Sequence, residues 1–356
     1  MNIVTIVGAR PQFIKAAAVS RAVQRARLQG CDISEQLLHT GQHYDYNMSG
    51  LFFSQLGIPA PAWNLGCRNN DTQMTQKIAS VLQEVRPDLV IVYGDTFSTL
   101  AGARAAVGLD IPVAHVEAGL RSFNDAMPEE YNRIQTDRIS RYLFCPTHTA
   151  VENLRNEGRE EGVYLTGDVM YDATLMFTPD VERQQQILHE LGICSGHFAL
   201  ATIHRADTAE DPEKLHGIFM ALSQLGREVI LPLHPHTART VSSHAELTGL
   251  LADSGNIRVI EPVGYQEMLV LEKHAFLILT DSGGVQKEAY FQRTPCITLR
   301  EETEWTETVT AGWNRLAGTD TQRILAATAA PFHTKDISDY GTGSAADIII
   351  QHLISA

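Results

Sequence analysis

The chain has 356 residues, 44% of them hydrophobic and 20% charged, and a formal net charge of −14. That length favours two domains over one core, and the acidic balance without a Lys/Arg block excludes general nucleic-acid or anionic-membrane binding. An anionic ligand would therefore need local Arg, Lys, His and backbone N–H groups. The five cysteines, Cys31, Cys67, Cys145, Cys194 and Cys296, are widely spaced with no CxxC. Cys145 and Cys296 fall in apolar runs, so buried free thiols and a cytoplasmic setting are expected. No signal peptide or long apolar span is visible, so no membrane partner is expected.

Short apolar runs alternate with longer amphipathic segments. The spacing predicts strands at Ile3–Val7, Gln36–Thr40, Leu89–Tyr93, Val113–Glu117, Tyr142–Cys145 and Tyr164–Thr166. After a break near Gly167–Glu182, they resume at Ala199–Ile203, Val229–Leu233, Arg258–Glu261, Phe276–Leu279 and Cys296–Leu299. Helices are expected at Gln12–Arg25, Asp71–Glu84, Ser98–Val107, Arg183–Leu191 and Asp211–Leu222, with a last one at Ala345–Ile354. Continuous Val/Ile/Leu strands separated by helices imply parallel sheets covered on both faces, an α/β class. The expected division is residues 1–170 and 171–344, with 345–356 packing back on the first domain.

Two glycine turns carry the most chemical information. Gly8-Ala9-Arg10-Pro11-Gln12-Phe13-Ile14-Lys15 follows the first strand, and Thr280-Asp281-Ser282-Gly283-Gly284-Val285-Gln286-Lys287-Glu288 follows the strand at 276–279. Each reads as strand, tight turn and helix. That arrangement aims backbone N–H groups and a helix N-terminus at one point, which suits a phosphate. Neither has the dinucleotide or P-loop spacing, so the ligand expected is neither NAD nor a P-loop triphosphate. Glu288 lies on the helix face that can reach a ribose diol, whose hydroxyls a carboxylate accepts. A solvent-exposed helix carboxylate is the other reading.

Polar residues also gather at strand ends. Asp95 follows the strand at 89–93, Glu117 ends the strand at 113–117, and Glu129 and Glu130 follow Pro128. Ends of neighbouring parallel strands converge, so Asp95, Glu117 and Glu129 are expected to share a pocket. Crowded carboxylates raise one another's pKa, which yields the acid and base that proton transfer at carbon needs. Each could instead be a helix cap. In the second half, His204 and His234 stand just past strands, able to bond phosphate or move protons. Metal binding is disfavoured, because His234 and His236 lack ligand spacing and have no Cys or carboxylate nearby.

Together these segments resemble the non-hydrolysing UDP-N-acetylglucosamine 2-epimerases. The matching stretches also include Thr40-Gly41-Gln42-His43, Tyr93-Gly94-Asp95-Thr96, His115-Val116-Glu117-Ala118-Gly119-Leu120-Arg121, Pro128-Glu129-Glu130-Tyr131-Asn132-Arg133, Thr202-Ile203-His204-Arg205 and Leu233-His234-Pro235. They run in order from residue 1 to about residue 318. The resemblance implies the glycosyltransferase-B fold, two Rossmann-like domains facing a cleft that holds the UDP-sugar. It implies elimination of UDP from C1 with loss of the C2 proton, giving 2-acetamidoglucal, then re-addition after C2 is reprotonated on the other face. It assigns Asp95, Glu117, Glu129 and His204 to catalysis. It assigns Arg10, Lys15, Arg133, His234, Ser282, Gly283, Gly284 and Glu288 to substrate binding. No cofactor and no metal are implied. The expected partners are a UDP-sugar and a second copy in a homodimer, with no nucleic acid and no membrane.

Two departures bear on substrate and regulation. Gln42-His43-Tyr44-Asp45 has Asp where an activating-site run in bacterial members has a second Gln. The short loop between Arg121 and Pro128, with Met48-Ser49-Gly50-Leu51-Phe52-Phe53, resembles the subgroup acting on UDP-2,3-diacetamido-2,3-dideoxyglucuronate. A glycosyltransferase shares the fold and the UDP site, but it needs fewer carboxylates than are present. A hydrolysing epimerase and a non-catalytic UDP-sugar sensor are the remaining alternatives.

Overall fold

A computed structural model describes residues 1–42, 56–67 and 71–355. The sequence-level features at His43, Tyr44, Asp45 and Met48 to Phe53 lie outside the described residues. The chain divides into two compact units, residues 1–176 with 338–356, and residues 177–337.

In the first unit the strands are β1 (Asn2–Val7), β2 (Ser34–His39), β3 (Trp63–Asn64), β4 (Leu89–Tyr93), β5 (Val113–Val116), β6 (Tyr142–Cys145) and β7 (Val163–Leu165). They form one sheet in the order β3-β2-β1-β4-β5-β6-β7, every pair parallel. Its helices are α1 (Arg10–Leu28), α2 (Asp71–Val85), α3 (Phe97–Val107), α4 (Pro128–Ile139), α5 (His148–Asn156) and α6 (Val169–Phe177). Val4, Ile6, Val90 and Val92 are fully buried against Ala101, Ala103 and Ala106 of α3. Small residues on that helix let it lie close to the sheet.

The second unit holds β8 (Phe198–Thr202), β9 (Glu228–Pro232), β10 (Ile257–Ile260), β11 (Leu277–Thr280), β12 (Cys296–Thr298) and β13 (Asn314–Leu316). Their order is β10-β9-β8-β11-β12-β13, again all parallel. The helices are α7 (Val181–Leu191), α8 (Ala206–Ala209), α9 (Pro212–Ser223), α10 (Pro235–Ser243), α11 (Ala245–Asp253), α12 (Tyr265–His274), α13 (Gly283–Phe291), α14 (Thr306–Thr310) and α15 (Thr321–Ala329). The last helix, α16 (Ala345–Ser355), belongs to the first unit. Asp172 on α6 caps it, accepting the N–H groups of Ala345 and Ala346 at 3.1 and 2.8 Å. Arg25 of α1 pairs with its Asp347 at 2.7 Å.

Each sheet reverses its strand order once, between β1 and β4 in the first and between β8 and β11 in the second. Helices leave opposite faces at such a point and open a crevice beyond the strand ends, where ligands of open α/β sheets bind. The turn at Gly8 and the Gly94-Asp95 pair stand at the first reversal. His204 and Thr280–Gly284 stand at the second.

Candidate active site

In the first unit, β1 ends at Val7 and the chain turns through Gly8 into α1. A side chain on Gly8 would lie 2.1 Å from Ser98 Oγ and 2.2 Å from Thr40 Oγ1, so only glycine fits. The sequence predicts free N–H groups in this turn. The structure corrects that: Gln12 Oε1 accepts from Gly8 N and Ala9 N at 2.8 and 3.0 Å. The Gln12 amide nitrogen donates to the Tyr93 carbonyl and Thr99 Oγ1, each at 2.9 Å. Gln12 thus ties the ends of β1 and β4 together, and the turn's amides serve the fold. Arg10 stands half-buried at the first position of α1.

Lys15, one turn further, is buried, and its Nζ lies 2.5 Å from Glu117 Oε2. Glu117 follows β5 directly and holds a left-handed backbone, φ +73°. For a non-glycine residue that costs about 1–3 kcal/mol and marks a position fixed by its surroundings. The Glu117 and Ala118 amides both donate to the Phe144 carbonyl, which holds the turn against β6. An ammonium against a buried carboxylate stabilises the negative charge that a proton acceptor must carry.

At the neighbouring strand end, Asp95 makes a short ion pair with Arg133 of α4. Its backbone carbonyl accepts from Asn132 Nδ2 at 2.9 Å. Arg133 also binds Glu130 Oε2 at 2.8 Å. Glu129 is half-buried in the first turn of α4, one turn before Arg133. Asp95 and Glu117 therefore meet separate cations, where the sequence predicts carboxylates crowding one another. The cations come from helices that start at Arg10 and Pro128, and no strand pattern reveals which carboxylate they face.

Glu130 supports the loop before it. Its carboxylate is buried and accepts from the Ser122 and Phe123 amides at 3.0 Å and from Ser122 Oγ at 3.0 Å. It shapes the 122–127 loop that resembles the diacetamido subgroup. The sequence alone assigns Glu130 no role. A Glu two residues after Pro at a helix start, beside a short polar loop, was the available signal.

In the second unit, the turn after β11 leads into α13. Ser282 caps that helix, its Oγ accepting from the Val285 amide at 3.4 Å. The Gly283 and Gly284 N–H groups meet no acceptor among the described residues, and both glycines are half-buried. A side chain on Gly283 would approach Glu304 Oε1 to 2.3 Å. Here, unlike at Gly8, two amides at a helix start remain available to an anion. Glu288 is buried in the second turn of α13, which removes the exposed-carboxylate reading.

His204 follows β8 with its ring exposed. Beneath it lies Asp281, fully buried, whose Oδ1 is 3.4 Å from His204 Nδ1. Asp281 also accepts the His204 and Arg205 amides, each at 3.1 Å. Burial pushes its carboxyl up to about 7, although those amides and the Arg205 charge pull it down. Asp281 was missed as a site residue, and its signal was a carboxylate directly after the strand at 277–280. His234 caps α10, its Nδ1 accepting the His236 amide at 3.3 Å. That bond leaves the ring's hydrogen on Nε2. The His204 and His234 rings are 5.8 Å apart.

A family model for UDP-N-acetylglucosamine 2-epimerase matches residues 26–354. The chain belongs to the UDP-N-acetylglucosamine 2-epimerase family. It is 49% identical over 331 residues to a UDP-N-acetylglucosamine 2-epimerase homolog of Methanococcus maripaludis, covering 91% of each chain. It is 46% identical to the UDP-2,3-diacetamido-2,3-dideoxy-D-glucuronate 2-epimerase of Pseudomonas aeruginosa, covering 99% of each. Among solved structures, the Methanocaldococcus jannaschii UDP-GlcNAc 2-epimerase in complex with UDP-GlcNAc and UDP matches with a TM-score of 0.90 at 38% identity, covering all of both chains. As a member of this epimerase family the chain is an isomerase, and its two parallel sheets have the glycosyltransferase-B type of α/β architecture. That class removes the glycosyltransferase and sensor alternatives.

Proposed function

We propose that this epimerase interconverts UDP-GlcNAc and UDP-ManNAc by eliminating UDP to 2-acetamidoglucal and adding it back. The observation that carries the proposal is Glu117, held in a strained backbone and paired with buried Lys15 at the strand end next to Asp95. A carboxylate so fixed at the strand end is placed for proton transfer at carbon. The C1–O bond breaks with its electron pair leaving on UDP, and a carboxylate takes the C2 proton. In the reverse half, a proton reaches C2 on the other face and the diphosphate oxygen bonds C1. We assign these proton transfers to Asp95, Glu117 and Glu129. We assign the diphosphate to Ser282, the Gly283 and Gly284 amides and His234 Nε2–H, and the ribose to Glu288. His204, carried on Asp281, is assigned to catalysis, and Arg10, Lys15 and Arg133 to substrate binding.

A second substrate reading has its own support. The Pseudomonas aeruginosa relative at 46% identity is named for the diacetamido uronate, and the Glu130-braced loop is short. Separate incubations with UDP-GlcNAc and with UDP-2,3-diacetamido-2,3-dideoxyglucuronate, followed by NMR, decide between them. We expect a C2 epimer that still carries UDP. Release of free sugar and UDP would instead indicate a hydrolysing enzyme. We infer a cytoplasmic homodimer. The five free cysteines support the compartment, and light scattering tests for twice the 39.3 kDa chain mass.

A further inference from the structure

One chain of charged side chains in the first unit, buried except for its last member Glu157, has no part in the assignments above. His115 lies within β5 and is fully buried. Its Nε2 is 2.7 Å from the Gly94 carbonyl oxygen, and its Nδ1 is 2.7 Å from Asp137 Oδ1. A carbonyl only accepts, so Nε2 carries a hydrogen. Burial alone would push the Asp137 carboxyl up, but the bonds and charges of His115 and Arg121 outweigh it and hold the group below its ordinary range. The ring is enclosed between the Gly94 carbonyl and Asp137.

The second Asp137 oxygen accepts from the Gly119 amide at 3.1 Å and from Arg121 Nη1 at 2.8 Å. Arg121 then grips Glu157 through Nε and Nη2 at 2.7 and 2.8 Å. Buried ion chains are weak sources of stability, because apolar residues of equal volume often do as well. What this one holds is more specific. Gly94 immediately precedes Asp95 and has φ +61°, and Gly119 follows Glu117 by two residues with φ +79°. Through His115 and its own second oxygen, Asp137 reaches both turns.

We propose that His115 is a positioning residue: locked on Asp137, its ring holds the Gly94 carbonyl and so fixes Asp95 relative to Glu117 for proton transfer at C2. This role rests on the epimerase reading given above. His115 touches no substrate in it and acts only through the backbone of the Asp95 turn.

His115→Gln and His115→Asn separate the two ring bonds. A Gln amide reaches the place of Nε2 and can still donate to Gly94, whereas an Asn amide reaches the place of Nδ1 and can donate only to Asp137. Loss of positioning by about 1 Å costs roughly a hundred-fold in rate. We therefore expect kcat of H115N to fall roughly ten- to a hundred-fold. UDP affinity by calorimetry should stay within about two-fold, because the loss lies in the chemical step. H115Q should regain most of that turnover even if both variants melt equally early. Equal turnover in the two variants, or unimpaired H115N, overturns the role. A measurement on the unaltered protein stands apart from any folding defect. The His115 Nε2 should give a protonated 15N resonance, and a bare Nε2 contradicts the proposal. If the unaltered enzyme turns over neither UDP-sugar, the epimerase reading falls and this role with it. Turnover by the unaltered enzyme with unimpaired H115N removes the role alone.

Discussion

Glu288 and Asp281 show how differently two carboxylates of one turn can behave. Glu288 is assigned to the ribose hydroxyls, and a hydrogen bond to a charged group is worth about 1.5–3 kcal/mol. Glu288→Ala should therefore weaken UDP binding roughly ten- to a hundred-fold by calorimetry, and unchanged affinity would remove the assignment. Asp281 is buried, with its carboxyl raised to about 7. The folded chain then binds that proton more tightly than the unfolded chain does. The resulting stabilisation is complete below the ordinary Asp value of about 4 and is lost as pH rises to about 7. Urea midpoints should fall across that window, and Asp281→Asn, which cannot ionise, should flatten the slope. A slope unchanged in the variant would mean that Asp281 does not titrate there. At this scale the sequence was informative where a polar residue interrupted an apolar strand end, as at Asp95, Glu117 and His204. It was silent on partners. Nothing in spacing reveals that Lys15 reaches Glu117, that Arg133 reaches Asp95, or that Asp137 in the last turn of α4 holds His115.

Elements were legible where apolar runs were long. The strands at 89–93 and 142–145 have the bounds read from sequence, and the others differ by one or two residues. β3 and β13 were missed because they are two and three residues long and sit on the outer edges of their sheets, too short to show a pattern. The two glycine turns read alike in sequence yet differ in use. Gln12 at the third position of α1 reaches back to occupy the first turn's amides, whereas Val285 at the third position of α13 has no group that could do so. The Glu117 turn depends on glycine two residues on. A side chain on Gly119 would lie 2.3 Å from the Ala150 carbonyl oxygen, at φ +79°. Both obstacles are backbone, so Gly119→Ala should destabilise by roughly 2–4 kcal/mol through overpacking and strain. Thermal melting checks this, and a normal melting temperature would show that the turn can move.

At the scale of the whole molecule, sequence alone pointed to two parallel α/β sheets, and each reverses its strand order beside one of the glycine turns. The ordered set of motifs indicated the family that the comparisons then showed. The substrate was less legible, because part of what bears on it lies in a short loop whose shape Glu130 sets by side-chain bonds. Asp95→Asn and Glu117→Gln should each leave UDP affinity near normal and cut turnover by at least about a hundred-fold, since acid–base groups contribute on the order of 10²–10⁴. Near-normal turnover in both variants would make the strand-end carboxylates structural.

In the proposed reaction the C2–H bond breaks and re-forms within an elimination and re-addition of UDP. NMR of the turnover in D2O tests it most directly, with UDP-GlcNAc or, if that is not turned over, the diacetamido uronate. Deuterium is expected at C2 of the epimer, which still carries UDP. An epimer formed with its C2 proton fully retained would contradict it.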